Sequence, residues 1–407
     1  MVSVMNQHLS NRDISVPMEW DRRGLPGWTY HSGAFLELEK KLLFRTHWQI
    51  ACHVSDLPEA GSYLTFDMCG ERALLVRGSD GEIRGFHNMC RHRGSRLVAE
   101  NRGRCKGALV CPFHGWVYNL DGTLRGAARP DSFPALDKNE FGLPALETEI
   151  WNGLVFIRFE KGPQPSVARL LQPFAGELAH YRMDEMVSAG EIWTQHSNVN
   201  WKSVRDVDNE GYHVALAHPA LQDLYGPTYY DEPFVDGICR SYAKCGDKAR
   251  RWSVRHYLKA LEPRPGMPDD LKQAWIYYGL FPNAVIAVTP EIMQFYQEFP
   301  LSTGKTELRG SIYRHREESR SQRLARYLAY RIDRDTMKED VQLTEWSNEA
   351  LDSSRFEGFF LSDLEYGIRT HHDHIRSVLP VARQEEHPGE QEVASLNASM
   401  LEAALGH

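Results

Sequence analysis

The sequence predicts an α+β protein with two domains, a small all-β domain followed by a larger α+β domain built on an antiparallel sheet. At 407 residues the chain is longer than one ordinary hydrophobic core supports. Short β-like runs broken by turn residues fill residues 48–160. Beyond them, strand-like and helical segments are mixed, as is typical of α+β domains.

Composition excludes several classes of function. The chain is 42% hydrophobic and 25% charged, which is typical of a globular protein, and its net charge of −8 provides no basic face for nucleic acid or an anionic membrane. No run approaches the ~20 apolar residues of a membrane span, and the N-terminus is polar where a signal peptide would be apolar. Seven cysteines, an odd number, favour free thiols in a reducing compartment. We therefore expect a cytoplasmic protein with no nucleic-acid or membrane partner.

The predicted domain boundaries follow from where the β-like runs begin and end along the sequence. Residues 1–47 form an N-terminal segment expected to pack with the larger domain, with Ser32 as the cap of a helix. The β-like runs of the small domain include 62–66, 72–78 and a closing strand at 151–159.

The larger domain is predicted to cover residues 161–384, with a linker-like stretch at 162–165 near its start. Its expected strands are 275–288, 292–299 and 306–314, and its expected helical regions are 201–218 and 317–352. The remainder, 385–407, reads as a polar C-terminal tail.

Two short motifs in the small domain pair a cysteine with a histidine. Cys90 and His92 are separated by one residue, and Cys111 and His114, 18 residues further on, are separated by two. Two such loops facing each other can hold a two-iron cluster with both thiolates on one iron and both imidazoles on the other. This ligand set raises the reduction potential to roughly −150 to +300 mV, against about −400 mV for a plant-type ferredoxin centre. The motifs therefore predict an electron relay.

A structural zinc site is the alternative interpretation, because two Cys and two His also satisfy tetrahedral zinc. Zinc fingers usually pair Cys with Cys and His with His, however, and here each loop mixes the two. Gly94 and Gly115 permit tight ligand loops, and the indole of Trp116 can shield a cluster from water. The pattern favours the iron–sulfur cluster.

A second set of candidate ligands lies in the larger domain. Asp206, Glu210 and His213 are spaced i, i+4 and i+7, which predicts one face of a helix. His218 would lie about 140° further round that helix, so the two imidazoles converge only if the helix ends or bulges between them. Pro219 supports such a break. Two His and one carboxylate are the expected ligands of non-haem Fe(II) oxygenases.

Both motif regions resemble one family. The segment NMCRHRGSRL…CPFHGWVYNLDG resembles the Rieske domain of ring-hydroxylating oxygenases, and NWK…EGYHVALAHPAL resembles their catalytic segment. The resemblance extends from about Leu25 to Pro380. It implies a catalytic alpha subunit of the ring-hydroxylating dioxygenase and Rieske demethylase family, with a helix-grip, START-like catalytic domain.

The resemblance also implies the site residues. Those for a Rieske [2Fe–2S] cluster are Cys90, His92, Cys111, His114 and the adjacent Trp116, and those for a mononuclear Fe(II) are His213, His218 and Asp340. Glu339 and Glu345 are the alternatives to Asp340. Glu210 matches an acidic residue that bridges the Rieske histidine of one subunit to an iron-ligand histidine of the next. Many relatives carry an Asn-aromatic pair where this chain has Val207-Asp208.

Substrate recognition stays open between two chemistries. Five aromatic residues could line the substrate cavity, although strand aromatics are more often core: Tyr225, Trp275, Tyr277, Phe295 and Tyr296. They could stack on an aromatic ring or cage a quaternary ammonium group. The sequence therefore allows aromatic hydroxylation or oxidative demethylation, and no single Arg or Lys stands out as a carboxylate clamp.

The expected partners follow from the redox chemistry. The chain shows no GxGxxG fingerprint, so NAD(P)H electrons should arrive through a separate ferredoxin or flavin/iron–sulfur reductase and be used with O2. Family resemblance implies a head-to-tail homotrimer. Two other hypotheses remain: a Rieske electron carrier without oxygenase chemistry, and a zinc-stapled binding protein.

Overall fold

The computed structural model describes residues 21–351, 353 and 355–405. The predicted N-terminal segment 1–47 is therefore described from Asp21 onward, and its first 20 residues lie outside the described residues. The chain divides into two compact units. The small unit comprises 44–169 and 182–188, and the large unit comprises 170–181 and the described residues before 44 and after 188. Within the described ranges, no helix combines the length and apolarity needed to cross a membrane.

The small unit is built from short antiparallel strands, which confirms the predicted all-β architecture. Its main strands are β1 (Gln49–His53), β2 (Ser62–Met68), β3 (Glu71–Arg77), β4 (Ile83–His87), β5 (Arg102–Arg104), β6 (Leu109–Val110), β7 (Val117–Tyr118), β8 (Leu124–Gly126), β9 (Glu147–Trp151) and β10 (Leu154–Arg158). They form three sheets, ordered β4-β3-β2-β5, β1-β10-β9 and β6-β7-β8. A two-residue strand, β11 (Val187–Ser188), follows later in the chain.

The predicted closing strand at 151–159 is wrong in one respect. Asn152 and Gly153 both adopt positive φ, at 45° and 83°, and turn the chain between β9 and β10. An Asn-Gly pair is the preferred sequence for a tight hairpin because both residues tolerate this left-handed backbone. The segment is therefore a hairpin and not one strand.

The large unit contains a seven-stranded antiparallel sheet, as the sequence predicts for an α+β domain. Its strands are β12 (Trp193–Ser197), β13 (Tyr230–Asp231), β14 (Ile238–Lys244), β15 (Ala274–Leu280), β16 (Ala284–Val288), β17 (Ile292–Ser302) and β18 (Lys305–Arg314). They pair in the order β12-β18-β17-β16-β15-β14-β13. Because side chains alternate along a strand, Gln294, Tyr296 and Glu298 face the same side of this sheet.

Helices pack on that side of the sheet. The described residues form the α-helices α1 (Gly33–Glu39), α2 (Val167–Leu170), α3 (Ala175–Ala179), α4 (Trp201–Asp208), α5 (Val214–Ala217), α6 (Pro219–Tyr225), α7 (Trp252–Ala260), α8 (Arg320–Ala350), α9 (Tyr366–Val378) and α10 (Val393–Leu405). The predicted Ser32 cap is confirmed, since its side chain accepts a hydrogen bond from the Phe35 amide. Apolar residues of α6, α7 and α8 pack with Trp275 of β15 in one core.

The C-terminal segment 385–407 is not simply the polar tail that its composition suggests. It contains α10, in which Val393 and Asn397 are buried. These positions are one helical turn apart and so lie on one face of the helix. Polar residues at 385–392 concealed the apolar pattern that begins at Val393.

Candidate metal centres

The two Cys-His loops of the small unit share one backbone geometry. In the first loop, the Cys90 amide donates to the Ser95 carbonyl at 2.8 Å and the Gly94 amide donates to the Cys90 carbonyl at 2.9 Å. In the second, Cys111 donates to the Trp116 carbonyl at 2.8 Å and receives the Gly115 amide at 3.0 Å. Both glycines have positive φ, 72° and 69°, a conformation that costs other residues energy. The two loops therefore share one turn that begins at the Cys, and the His is the third residue of the first loop and the fourth of the second.

The four side chains form a thiol pair and an imidazole pair. The ring centroids of His92 and His114 lie 4.6 Å apart. Their Nδ1 atoms are buried and have no hydrogen-bond partner among the described residues. Cys90 and Cys111 are each 2% exposed and lie against each other. Burial raises the pKa of the Cys90 thiol, so an ionised thiolate here calls for a compensating positive charge.

Two aromatic residues complete this site. The Trp116 ring stacks on His92, with centroids 5.1 Å apart and planes 6° from parallel. The Tyr118 hydroxyl lies 3.3 Å from the Cys90 sulfur and accepts the Arg91 amide at 3.0 Å. Its own proton is therefore free to point at the sulfur. Sequence reasoning found Trp116 but missed Tyr118, whose only signal is its place on β7, directly after the second loop.

The ligand segment of the large unit is less regular than predicted. Helix α4 ends at Asp208, so Glu210 and His213 do not share a helical face with Asp206, and that expectation is wrong. Asp206 instead accepts hydrogen bonds from Tyr30 (2.6 Å) and His372 (2.8 Å). The chain turns at Gly211, where a Cβ atom would lie 1.9 Å from the Tyr229 ring. Only glycine allows this turn beside the aromatic wall.

The predicted break between the two histidines is confirmed. Helix α5 ends at Ala217, His218 has φ −117° and ψ 78°, and α6 begins at Pro219. Proline disfavours helical conformation in the residue before it, which fixes the break at His218. The imidazoles can therefore turn toward each other.

A carboxylate holds each of these histidines from behind. Glu210 Oε1 lies 2.5 Å from Nδ1 of His213, and Glu339 Oε2 lies 3.0 Å from Nδ1 of His218. A carboxylate acceptor at Nδ1 fixes the proton there and leaves Nε2 as a lone-pair donor. Both Nε2 atoms are thus prepared as ligands.

Three lone-pair atoms then converge. His213 Nε2 and His218 Nε2 are 2.9 Å apart, and Asp340 Oδ1 lies 3.6 Å and 2.9 Å from them. Adjacent ligands of an octahedral ion with ~2.1 Å bonds are about 3 Å apart. Asp340 Oδ1 is buried and has no hydrogen-bond partner in the described part of the chain. Such an arrangement is repulsive unless a cation sits among the three atoms, so the residues present fit a bound metal ion.

The two sites differ in how their ligands gather. His213, His218 and Asp340 each offer one ligand atom, and these three atoms all lie within 4.8 Å of one another. No other group of three possible ligands among the described residues is as close. The ligand atoms of Cys90, His92, Cys111 and His114 do not converge on one position in this way. The ligands of a single tetrahedral zinc ion would lie under about 4 Å from one another. Separate thiol and imidazole pairs fit a two-metal cluster better than a single zinc ion.

The remaining carboxylate candidates on α8 have different positions. Glu339 contacts the back of His218 and not the point of convergence. Glu345, more than one turn beyond Asp340, makes no hydrogen bond or ion pair with either histidine. Asp340 alone of the three faces both Nε2 atoms.

A cavity of about 210 Å³ opens beside these ligands, between the sheet and α4, α6 and α8. Three of the five predicted aromatic residues line it: Tyr225, Tyr277 and Tyr296. Tyr229 lines it as well and was missed by sequence reasoning. The other two predicted residues do not line it. Trp275 is held in the core by a 2.7 Å hydrogen bond to the Tyr257 hydroxyl, and Phe295 points to the opposite face of β17, where it stacks on Tyr313.

The departure at Val207-Asp208 places a charged group in this cavity. Asp208 accepts a 2.8 Å hydrogen bond from the Tyr296 hydroxyl and pairs with Arg205 at 3.0 Å. Burial raises the pKa of Asp208, and the Arg205 charge partly offsets this. Arg205 also lies 3.5 Å from Glu298. Arg205 is therefore committed to internal partners and is not available as a clamp for a substrate carboxylate.

Comparison with known proteins identifies two domains. Residues 47–138 match the Rieske [2Fe-2S] domain, and residues 183–380 match the ring hydroxylating alpha subunit (catalytic domain). Together these matches cover most of the chain and imply a Rieske cluster and a mononuclear iron. They support the oxygenase hypothesis over an electron carrier.

Individual relatives fall in the same group. The chain is 32% identical, over 61% of its length and 57% of the relative's, to the glycine betaine monooxygenase oxygenase subunit of Chromohalobacter salexigens. The match thus spans little more than half of that relative. It is 27% identical to the carnitine monooxygenase oxygenase subunit of Escherichia coli K12, over 82% of this chain and 86% of the relative.

A solved structure, of the quaternary ammonium Rieske monooxygenase CntA with an inhibitor, superposes with a TM-score of 0.73 at 25% identity. It covers 88% of this chain and 95% of the other. From the two domain matches and this fold, the chain belongs to the Rieske non-haem iron oxygenases and is built as one of their catalytic alpha subunits.

Proposed function

We propose that this chain is the oxygenase component that hydroxylates a small methylated amine with O2. The observation that carries the proposal is the convergence of His213 Nε2, His218 Nε2 and Asp340 Oδ1 beside a tyrosine-lined cavity. Facial sets of two His and one carboxylate leave coordination positions for O2 and substrate. One oxygen atom enters a C–H bond of the substrate, and the other leaves as water with two electrons and two protons. Hydroxylation of an N-methyl carbon would then release formaldehyde.

The ligand assignment follows the geometry. Cys90, His92, Cys111 and His114 would hold the [2Fe–2S] cluster, and His213, His218 and Asp340 would hold the iron. When bound, these groups supply one-electron transfer and O2 activation.

The protein's own side chains prepare both sites. Glu210 and Glu339 keep the Nδ1 protons of the two iron-site histidines in place and orient the rings. Trp116 covers one face of His92, and Tyr118 is placed to donate to Cys90. Hydrogen bonds and water exclusion of this kind tune a cluster's potential.

The cavity favours a cation as substrate. Four tyrosine side chains and the carboxylates of Asp208, Glu298 and Asp333 line it, whereas its one Arg is already paired. Aromatic faces attract quaternary ammonium groups. Relatives named for glycine betaine and carnitine support the same substrate class.

The assembly and electron supply belong to the same proposal. Electrons would come from NAD(P)H through a separate reductase, directly or by a ferredoxin. A head-to-tail homotrimer would place Glu210 between the iron of one subunit and the cluster of the next. The domain limits 48–160 and 161–384 and a cytoplasmic location are also retained as proposals; all seven cysteines lie in the described residues and none forms a disulfide.

The test is a His213→Ala variant of the full chain, assayed with a surrogate reductase and methylated amines. We expect substrate-dependent O2 uptake and formaldehyde release to disappear while the Rieske visible spectrum remains. Normal turnover by this variant would overturn the assignment of the iron site.

A further inference from the structure

One carboxylate of the cavity has no role in the proposed metal chemistry. Asp333 lines the cavity from α8, and its side chain accepts a 3.2 Å hydrogen bond from the Gln294 amide of β17. Within the described residues, no Lys, Arg or His forms an ion pair with Asp333. It lies neither beside nor in contact with the proposed iron ligands.

The other cavity acids are each accounted for. Glu210 holds His213, and Asp340 faces the two imidazoles. Asp208 pairs with Arg205 at 3.0 Å. Glu298 lies 3.5 Å from the same Arg205, and burial raises its pKa to about 7. The acids at this end of the cavity therefore share one cation, the Arg205 guanidinium.

The Asp333 end is not balanced. Burial raises the pKa of Asp333 to about 7, and the Gln294 amide offsets this only in part. An unpaired carboxylate in such a place is costly unless a positive partner is supplied. A bound cation would supply it.

Tyrosine side chains line the cavity together with the same carboxylate. Burial raises the pKa of Tyr225, and the negative charge of Asp333 raises it further. The pKa of Tyr277 is raised mainly by burial, next by Tyr225 and then by the charge of Asp333. Tyr225 and Tyr229 stack with centroids 5.9 Å apart. A carboxylate behind tyrosine rings is a suitable site for an ammonium group.

The position along α8 relates this site to the iron ligands. Residues 333, 336, 337, 340, 341 and 344 all line the cavity and so share one helical face. Asp340 is seven positions after Asp333, which is about 10 Å along the helix axis. The cavity, about 210 Å³, is smaller than the roughly 300–1,000 Å³ typical of pockets for drug-sized ligands. It suits one small molecule with its charge near Asp333 and an oxidisable carbon toward Asp340.

We infer that Asp333 is the specificity-determining residue that binds the positively charged nitrogen of the substrate. This rests on the proposed function, which it deepens by assigning the charge recognition to one side chain. Gln294 acts as a positioning residue that holds the carboxylate toward the cavity.

The experiment compares a cation with its neutral carbon isostere. Binding of choline and of 3,3-dimethyl-1-butanol to the full iron-loaded protein is measured by calorimetry, with the zwitterions carnitine and glycine betaine as further quaternary ammonium compounds. We expect the wild-type protein to prefer choline by roughly tenfold or more, and Asp333→Asn to lose most of this preference. Binding of the neutral alcohol should change by less than about threefold.

The controls separate charge from folding. Asp335→Asn removes the same charge from the same helix, but Asp335 pairs with Arg334 at 2.9 Å and is 43% exposed, so the preference should stay. Asp333→Glu should retain part of it. If Asp333→Asn does not fold, as judged by cluster spectrum and iron content, Gln294→Lys provides the second test. It places a cation beside Asp333 and should lower the choline preference.

The outcomes are distinct from those for the proposed function. Preference for choline that survives in Asp333→Asn, or no preference for any cation in the wild type, overturns the role of Asp333. His213→Ala should lose turnover yet keep the cation preference. If the preference depends on Asp333 but no methylated amine is oxidised, charge recognition stands and the proposed reaction fails.

Discussion

The site of the small unit is local, whereas the site of the large unit is assembled from distant segments. Cys90, His92, Cys111 and His114 lie on two loops with the same turn, each closed by a positive-φ glycine. His218 and Asp340 are 122 residues apart in the chain and meet because α8 packs against α4 and α6. Turn chemistry defines the first site, and tertiary packing defines the second.

The two sites also differ in exposure. Cys90 and Cys111 are each 2% exposed, while the side chains of His213 and Asp340, though not that of His218, are 22% and 29% exposed. A substrate has to reach the second site, whereas an electron relay works best shielded. The difference in access leads to different expected behaviour toward substitution and chelation.

The largest expected effect is at Asp340. Asp340→Asn removes the one carboxylate that faces both Nε2 atoms, so turnover should fall at least about 100-fold and the mononuclear iron should be lost. The cluster spectrum should not change. Glu345→Gln is the matched control on the same helix, with wild-type iron content expected. Equal iron loss in both variants would contradict the assignment of Asp340.

Chelation should separate the sites next. A small iron chelator under anaerobic conditions is expected to remove the iron of the large unit and leave the cluster intact, because His213 and Asp340 are partly exposed whereas both cluster cysteines are buried. About one iron in three should leave the wild-type protein. The Asp340→Asn variant, which already lacks the mononuclear iron, should lose no further iron to the chelator. Parallel loss of cluster absorbance would show that the two sites do not differ in access.

A smaller effect is expected at Glu339. Glu339→Gln weakens the acceptor behind His218, and outer carboxylates of this kind typically change metal affinity by roughly 10-fold or more. Iron titration of the apoprotein measures the change directly, with Glu345→Gln again as control. Unchanged affinity would mean that the 3.0 Å contact does not orient the imidazole.

The smallest effect is confined to the small unit. Tyr118→Phe removes the hydroxyl 3.3 Å from Cys90 Sγ, which stabilises the reduced cluster, so its potential should fall by roughly 30–60 mV. Redox titration followed by visible or EPR spectroscopy gives the shift. The iron affinity of the large unit should stay as in the wild type. An unchanged reduction potential would show that the Tyr118 hydroxyl does not interact with the cluster.

This contrast explains what the sequence could predict. Mixed Cys-His loops, Gly94 and Gly115 mark the cluster site because their geometry is set within a few residues. Pro219 likewise revealed the break at His218. The spacing of Asp206, Glu210 and His213 misled, because helix α4 ends at Asp208 and a turn at Gly211 follows.

Cavity residues were harder to predict for a related reason. Trp275 lies on the same face of β15 as Tyr277, but the Tyr257 hydroxyl of α7 holds it outside the cavity. Phe295 and Tyr296 are neighbours on β17 and point to opposite faces. Asp333 carried no signal at all, because only the packing of α8 on β17 shows that this acid faces the cavity and not solvent.

The most direct measurement is the metal content of the full-length protein purified without oxygen. Two metal sites of different kind in one chain predict about three irons and two acid-labile sulfides per polypeptide, with a Rieske absorption spectrum. Two irons per chain, with the same spectrum, would contradict the presence of an iron held by His213, His218 and Asp340. Stoichiometric zinc without sulfide would contradict the cluster as well.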